Sequence, residues 1–196
     1  YYSDDDRSRL KFMDEFAKES IEFKNVVTSA PSTFMSLSAM MSGMPSYFIN
    51  RNFDDFRFDK DRIQSLTNDL SNNGYNNYSF LMHPQTRETM INIFPMVSRK
   101  YWAKGLTHRN WWSNDDIFDS VQKTLNMGVD DKPSFFFIDY NCRHDFEMSD
   151  KVKKTYKMFN DFGYNEDNTI FILCSDHGYP DASKESGNPE YYTENN

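Results

Sequence analysis

The chain has 196 residues, of which 22 are Lys or Arg and 30 are Asp or Glu, giving a formal net charge of −8 with histidine neutral. That balance excludes a generic nucleic-acid binder, which tracks phosphates with a basic face, and it favours small or neutral substrates. The length suits one domain of about 100–200 residues, and an aromatic content of 17% argues for a packed core despite a mean hydropathy of −0.82.

In chain order, Ser3-Asp4-Asp5-Asp6 leads into a helix predicted over residues 7–18, in which Leu10, Phe12, Met13 and Phe16 make an apolar stripe. The serine caps and the acids suit the positive end of the helix, so a metal site in the acid run is the lesser alternative. A short strand is predicted over 23–27. After Thr28-Ser29-Ala30-Pro31-Ser32, a small and apolar helix covers 33–42, closed by Gly43 and followed by Pro45. An amphipathic helix over 62–71 ends at Asn73-Gly74, and a strand follows over 78–82. Periodicity fades between 84 and 114, where Tyr101, Trp102, Trp111 and Trp112 read as packing beneath an irregular insertion in preference to a carbohydrate cleft. A helix over 115–125 precedes a strand over 134–139 that is apolar on both faces, as parallel-sheet strands are. A helix over 151–162 leads to a second strand over 169–174, predicted to be fully buried, which exits into Ser175-Asp176-His177-Gly178. This alternation predicts an α/β fold, a mainly parallel sheet flanked by helices.

Cys142 and Cys174 are too few for a disulfide scaffold. No apolar run approaches the roughly 18 residues of a membrane helix, so no span is expected within the chain. It opens on Tyr1 and stops in a polar stretch at Asn196, which reads as a piece of a longer domain.

Ligands of open α/β sheets bind outside the carboxyl ends of the strands, and three polar clusters fall there: residues 28–36, 139–145 and 175–178. The first sets hydroxyls at a helix N-terminus, where free N–H groups favour an anion. The last sets a carboxylate beside an imidazole, a pair suited to Zn²⁺ or Mn²⁺, and a metal beside a hydroxyl makes a nucleophile at neutral pH. Each also has a structural explanation. Ser32 suffices as a cap for the helix that Thr33 opens, and Asp-His-Gly after a strand serves as a turn.

Thr33 to Gly43, with the glycine ten residues after the hydroxyl, resembles the nucleophile helix of the alkaline phosphatase superfamily, which includes sulfatases, phosphodiesterases and phosphoethanolamine transferases. Asn168 to Gly178 is similar to that superfamily's metal-binding strand end, and Phe135-Phe136-Phe137-Ile138 followed by His144 resembles the sulfatase strand leading to an active-site histidine. The resemblance implies an alkaline phosphatase-like fold, of which residues 1–196 form the central part of one catalytic domain, incomplete at both ends. It makes Thr33 the nucleophile and a metal ligand, Asp176 and His177 metal ligands, and His144 the residue that meets the substrate anion or protonates the leaving group. Arg143 and Ser36 are the candidates for binding the anion. The implied cofactor is a divalent metal, Zn, Mn or Ca, and the implied substrate is a small-molecule, glycan or lipid ester.

The sequence departs from the formylglycine sulfatases, which carry Cys or Ser at the nucleophile position and Arg four residues on; here those residues are Thr33 and Leu37. An unmodified threonine resembles the phosphodiesterase and phosphoethanolamine transferase branches. The usual proline before the active-site histidine is Arg143, and no apolar run ending in Asp precedes Phe23. Two function classes stay open: a metal-dependent hydrolase or transferase of phosphate or sulfate esters, and a non-catalytic module of the same fold gripping an anionic glycan.

Overall fold

The computed structural model describes residues 11–28, 30, 33–49, 64–81, 99–100, 113–129, 131–140 and 145–176. The acid run at 4–6, the tryptophans at 102, 111 and 112, and Arg143, His144 and His177 lie outside the described residues.

The elements in order are α1 (Lys11–Lys18), α2 (Thr33–Ser42), α3 (Ser46–Ile49), α4 (Leu66–Asn72), β1 (Asn76–Phe80), β2 (Arg99–Lys100), α5 (Asn114–Asn126), β3 (Ser134–Ile138) and α6 (Asp145–Asp161). The strands form a parallel sheet in the order β2-β1-β3. In register, Asn76 lies opposite Ser134 and Phe80 opposite Ile138. The ladder closes at both ends, with the Asn76 N–H donating to the Pro133 carbonyl and the Asp139 N–H donating to the Phe80 carbonyl, each at 2.9 Å.

Successive strand residues point to opposite faces, and β1 uses each face differently. Tyr78 and Phe80 join Ile117, Val121 and Leu125 of α5 and Met158 and Phe159 of α6 in one buried core. Asn77 is fully buried, and its amide donates to the Thr67 carbonyl at 3.0 Å and to Ser71 Oγ at 2.7 Å, which ties α4 to the strand. Phe136 of β3 is the bridge between layers: its ring stacks on Tyr78 at 4.7 Å and meets Phe159 edge-on at 5.0 Å. An α/β arrangement with a small parallel sheet flanked by helices therefore stands.

Local chemistry sets several boundaries. Ser113 and Asp116 form a reciprocal capping box that starts α5, one turn of backbone N–H groups being satisfied by side chains. Ser65 accepts from the Asn68 N–H at 3.3 Å, so α4 begins at Leu66, later than the position 62 expected from periodicity. β1 runs from 76 to 80 where 78–82 was expected, because its register against β3 starts at Asn76. Helix α2 has its predicted bounds, and Gly43 after it takes φ 66°, a left-handed conformation that glycine adopts without a Cβ penalty.

Two predicted strands are corrected. Residues 23–27 form no strand: the segment bends at Lys24-Asn25, and Phe23 and Val27 are exposed. Residues 169–174 are neither a strand nor buried. Ile170 and Ile172 are 88% and 82% exposed, while Phe171 between them packs on Tyr156 at 4.9 Å and Phe159 at 6.3 Å. An apolar run reports a tendency to leave water, but a strand also needs a neighbouring backbone to pair with, and these segments have none among the described residues.

Candidate functional site

Helix α2 begins at Thr33 and buries Ser36, Leu37, Ser38 and Met41. Thr33 itself is half-buried at the first helical position. That end of the helix has backbone N–H groups without intrahelical partners, a setting that stabilises an anion.

The segment following α6 reaches this helix. It starts in a turn in which the Thr169 N–H donates to the Asn165 carbonyl at 2.8 Å, and it is anchored by Phe171 on α6. At its end, the Asp176 carbonyl accepts from Thr28 Oγ1 at 3.0 Å and from Ser36 Oγ. Thr28 Oγ1 and Ser36 Oγ are themselves 3.0 Å apart, and Thr28 also reaches the Ala30 carbonyl at 2.9 Å. Segments 148 and 140 positions apart in sequence are thus held by two hydroxyls on one carbonyl oxygen. The first and third polar clusters meet here, one helical turn after Thr33.

The Asp176 carboxylate also acts on Cys174. That thiol is free, and its pKa is raised by desolvation of the sulfur and, secondarily, by the negative charge of Asp176. A raised thiol pKa keeps Cys174 protonated and a poor nucleophile at neutral pH.

The second cluster leaves the carboxyl end of β3. Tyr140, two residues past the strand, shares a hydrogen bond of 2.6 Å with Thr155 of α6. Burial pushes the Tyr140 phenol up to about 12, against the lowering effect of that bond. The neutral phenol pins the strand exit onto α6. Among the described residues, no three His, Cys, Asp or Glu side chains gather to hold a metal ion.

Thr28 and Tyr140 were not singled out by sequence reasoning. The only sequence signal for Thr28 was its membership of the polar stretch before α2, and Tyr140 gave none beyond lying after an apolar strand.

The family model described as Sulfatase matches residues 2–167. The chain belongs to the sulfatase family. Family membership agrees with the parallel α/β arrangement and with the resemblance carried by the Thr33 helix and the β3 strand. Sulfatases hydrolyse sulfate or phosphate esters of small molecules or glycans and generally use a divalent metal, so the chain is a sulfatase-like hydrolase in general terms. The match spans Thr33, Ser36, Arg143 and His144 and stops short of Asp176 and His177. No curated protein and no solved structure matches the chain. No helix among the described residues is long and apolar enough to cross a membrane.

Proposed function

We propose that this sulfatase-family chain acts on phosphate or sulfate esters through an unmodified threonine nucleophile, Thr33, as a hydrolase or a transferase to an acceptor hydroxyl. The observation that carries the reading is the approach of the Asp176 segment to the helix that Thr33 opens, through the Thr28 and Ser36 hydroxyls. A carboxylate, an imidazole and a hydroxyl are donors that Zn²⁺ or Mn²⁺ accepts, so Asp176, His177 and Thr33 would hold the divalent metal. When bound, such an ion supplies positive charge that lowers the pKa of a neighbouring hydroxyl and screens ester oxygens.

The Thr33 Oγ, its proton released to solvent, attacks phosphorus or sulfur in line with the leaving oxygen. The bond from phosphorus or sulfur to that oxygen breaks, and His144 donates the proton that the departing alkoxide needs. The N-terminal amides of α2 and the Arg143 guanidinium stabilise the charge on the non-bridging oxygens, which arginine matches with two parallel N–H donors. Water or an acceptor hydroxyl then attacks the phosphorus or sulfur of the Thr33 ester, His144 takes its proton, and the Thr33 oxygen leaves and regains a proton from solvent, which restores the hydroxyl. Threonine with Leu37 four residues on, in place of Cys and Arg, favours the phosphoester branch of the family over formylglycine chemistry.

The test is Thr33→Ala, assayed on a panel of phosphodiester, phosphomonoester and sulfate ester substrates with folding followed by circular dichroism. Turnover falls by about 10³-fold or more, as expected for loss of a covalent nucleophile, and the spectrum is unchanged. Wild-type rates in the variant would overturn the assignment.

A further inference from the structure

We infer that Thr28 is a positioning residue for the Thr33–Asp176 site, acting with Ser36 as a two-hydroxyl clamp on the Asp176 carbonyl; this rests on the proposed function. Thr28 is half-buried at the end of an exposed segment, whereas Ser36 is 3% exposed inside the helix packing. Their oxygens are 3.0 Å apart, and both lie on the same carbonyl.

The donor inventory makes the pair interdependent. Each hydroxyl has one proton. Ser36 and Thr28 both have the Asp176 carbonyl within donating reach, either hydroxyl can donate to the other, and the single Thr28 proton alternates among the acceptors around it, the Ala30 carbonyl included. Ala30 is buried, and its N–H lies 3.4 Å from the same Thr28 oxygen. Thr28 therefore engages two things at once: Ala30, two residues on, and the Asp176 carbonyl beside Ser36. Phe171, five residues upstream, anchors the same segment on Tyr156 and Phe159 of α6. The clamp adds a constraint at Asp176 itself.

A nucleophile and a charge-bearing partner displaced by about 1 Å lose on the order of 10²-fold in rate. Loss of the clamp consequently lowers kcat, while KM for the ester changes little, because Thr28 touches neither the ester nor the reacting atoms.

The experiment compares wild type, Thr28→Val, Thr28→Ser and Ser36→Ala in the intact protein. kcat and KM are measured with bis-p-nitrophenyl phosphate and p-nitrophenyl sulfate, and amide hydrogen exchange is followed over residues 169–176. The expected result is a 10- to 100-fold fall in kcat for Thr28→Val, with KM within threefold of wild type, faster exchange in 169–176 and an unchanged melting temperature. Thr28→Ser, which keeps the hydroxyl, recovers kcat to within threefold. Ser36→Ala gives a fall of the same kind, and it decides the matter if Thr28→Val does not fold. An active wild type with inactive Thr33→Ala but wild-type kcat in Thr28→Val and Ser36→Ala overturns the clamp alone. A wild type without turnover on either ester overturns the proposed function and the clamp with it.

Discussion

Phe80→Ala is the sharpest test of the packing that holds the sheet to its helices. Phe80 ends β1, is fully buried and lies parallel to Phe136 with ring centroids 6.4 Å apart. An aromatic side chain of this kind buries about 150–250 Å², worth roughly 4–6 kcal/mol at ~25 cal/mol per Å². An extended-chain reference overstates burial by about 10–40%, which brings the figure to about 3–5 kcal/mol, the usual range for Phe→Ala in a core. Ile117 and Val121 of α5 and Phe159 of α6, which share the core with it, close the gap only in part. Urea unfolding followed by circular dichroism measures the loss. For a chain of this size each kcal/mol corresponds to roughly 2–4 °C, so melting falls by about 10 °C. Phe80→Leu, which keeps most of the volume, costs about 1 kcal/mol. If Phe80→Ala stays within about 1 kcal/mol of wild type, Phe80 is not at the centre of a core shared by β1, α5 and α6.

Two other outcomes follow from the site. Tyr140 titrates at about 12, above its ordinary value of 10.0. Its contribution to stability is therefore complete below pH 10 and is lost as pH rises through about 12. Wild-type stability should fall across that window more steeply than that of Tyr140→Phe; Tyr156 and Tyr164, whose pKa values are also raised, leave the variant a residual slope. Equal slopes would show that Tyr140 is not buried at the β3 exit. Asp176→Asn combined with His177→Ala should abolish bound divalent metal, measured by elemental analysis of the purified intact protein. Unchanged metal stoichiometry would remove both residues from the ligand set.

Helix α2, helix α5 and strand β3 were legible in the sequence because their signals are local. A capping serine, a closing glycine at positive φ and a run of apolar residues each act within a few positions of the element they define. The candidate site was legible as pieces. Thr33 with Gly43 ten residues on and the Asp176-His177 pair carried the resemblance, and the sulfatase family model matches residues 2–167.

The sequence by itself determined the order of helices and apolar segments, the acidic charge balance and the family. Only the tertiary structure decided that residues 23–27 and 169–174 form no strands, that β1 starts at Asn76, and that Thr28 and Ser36 share the Asp176 carbonyl. The reason is one of range. Hydrophobicity and capping belong to neighbours along the chain, whereas a ladder partner, or a hydroxyl 148 positions away, exists only once the chain has folded and brought the two backbones within hydrogen-bond distance.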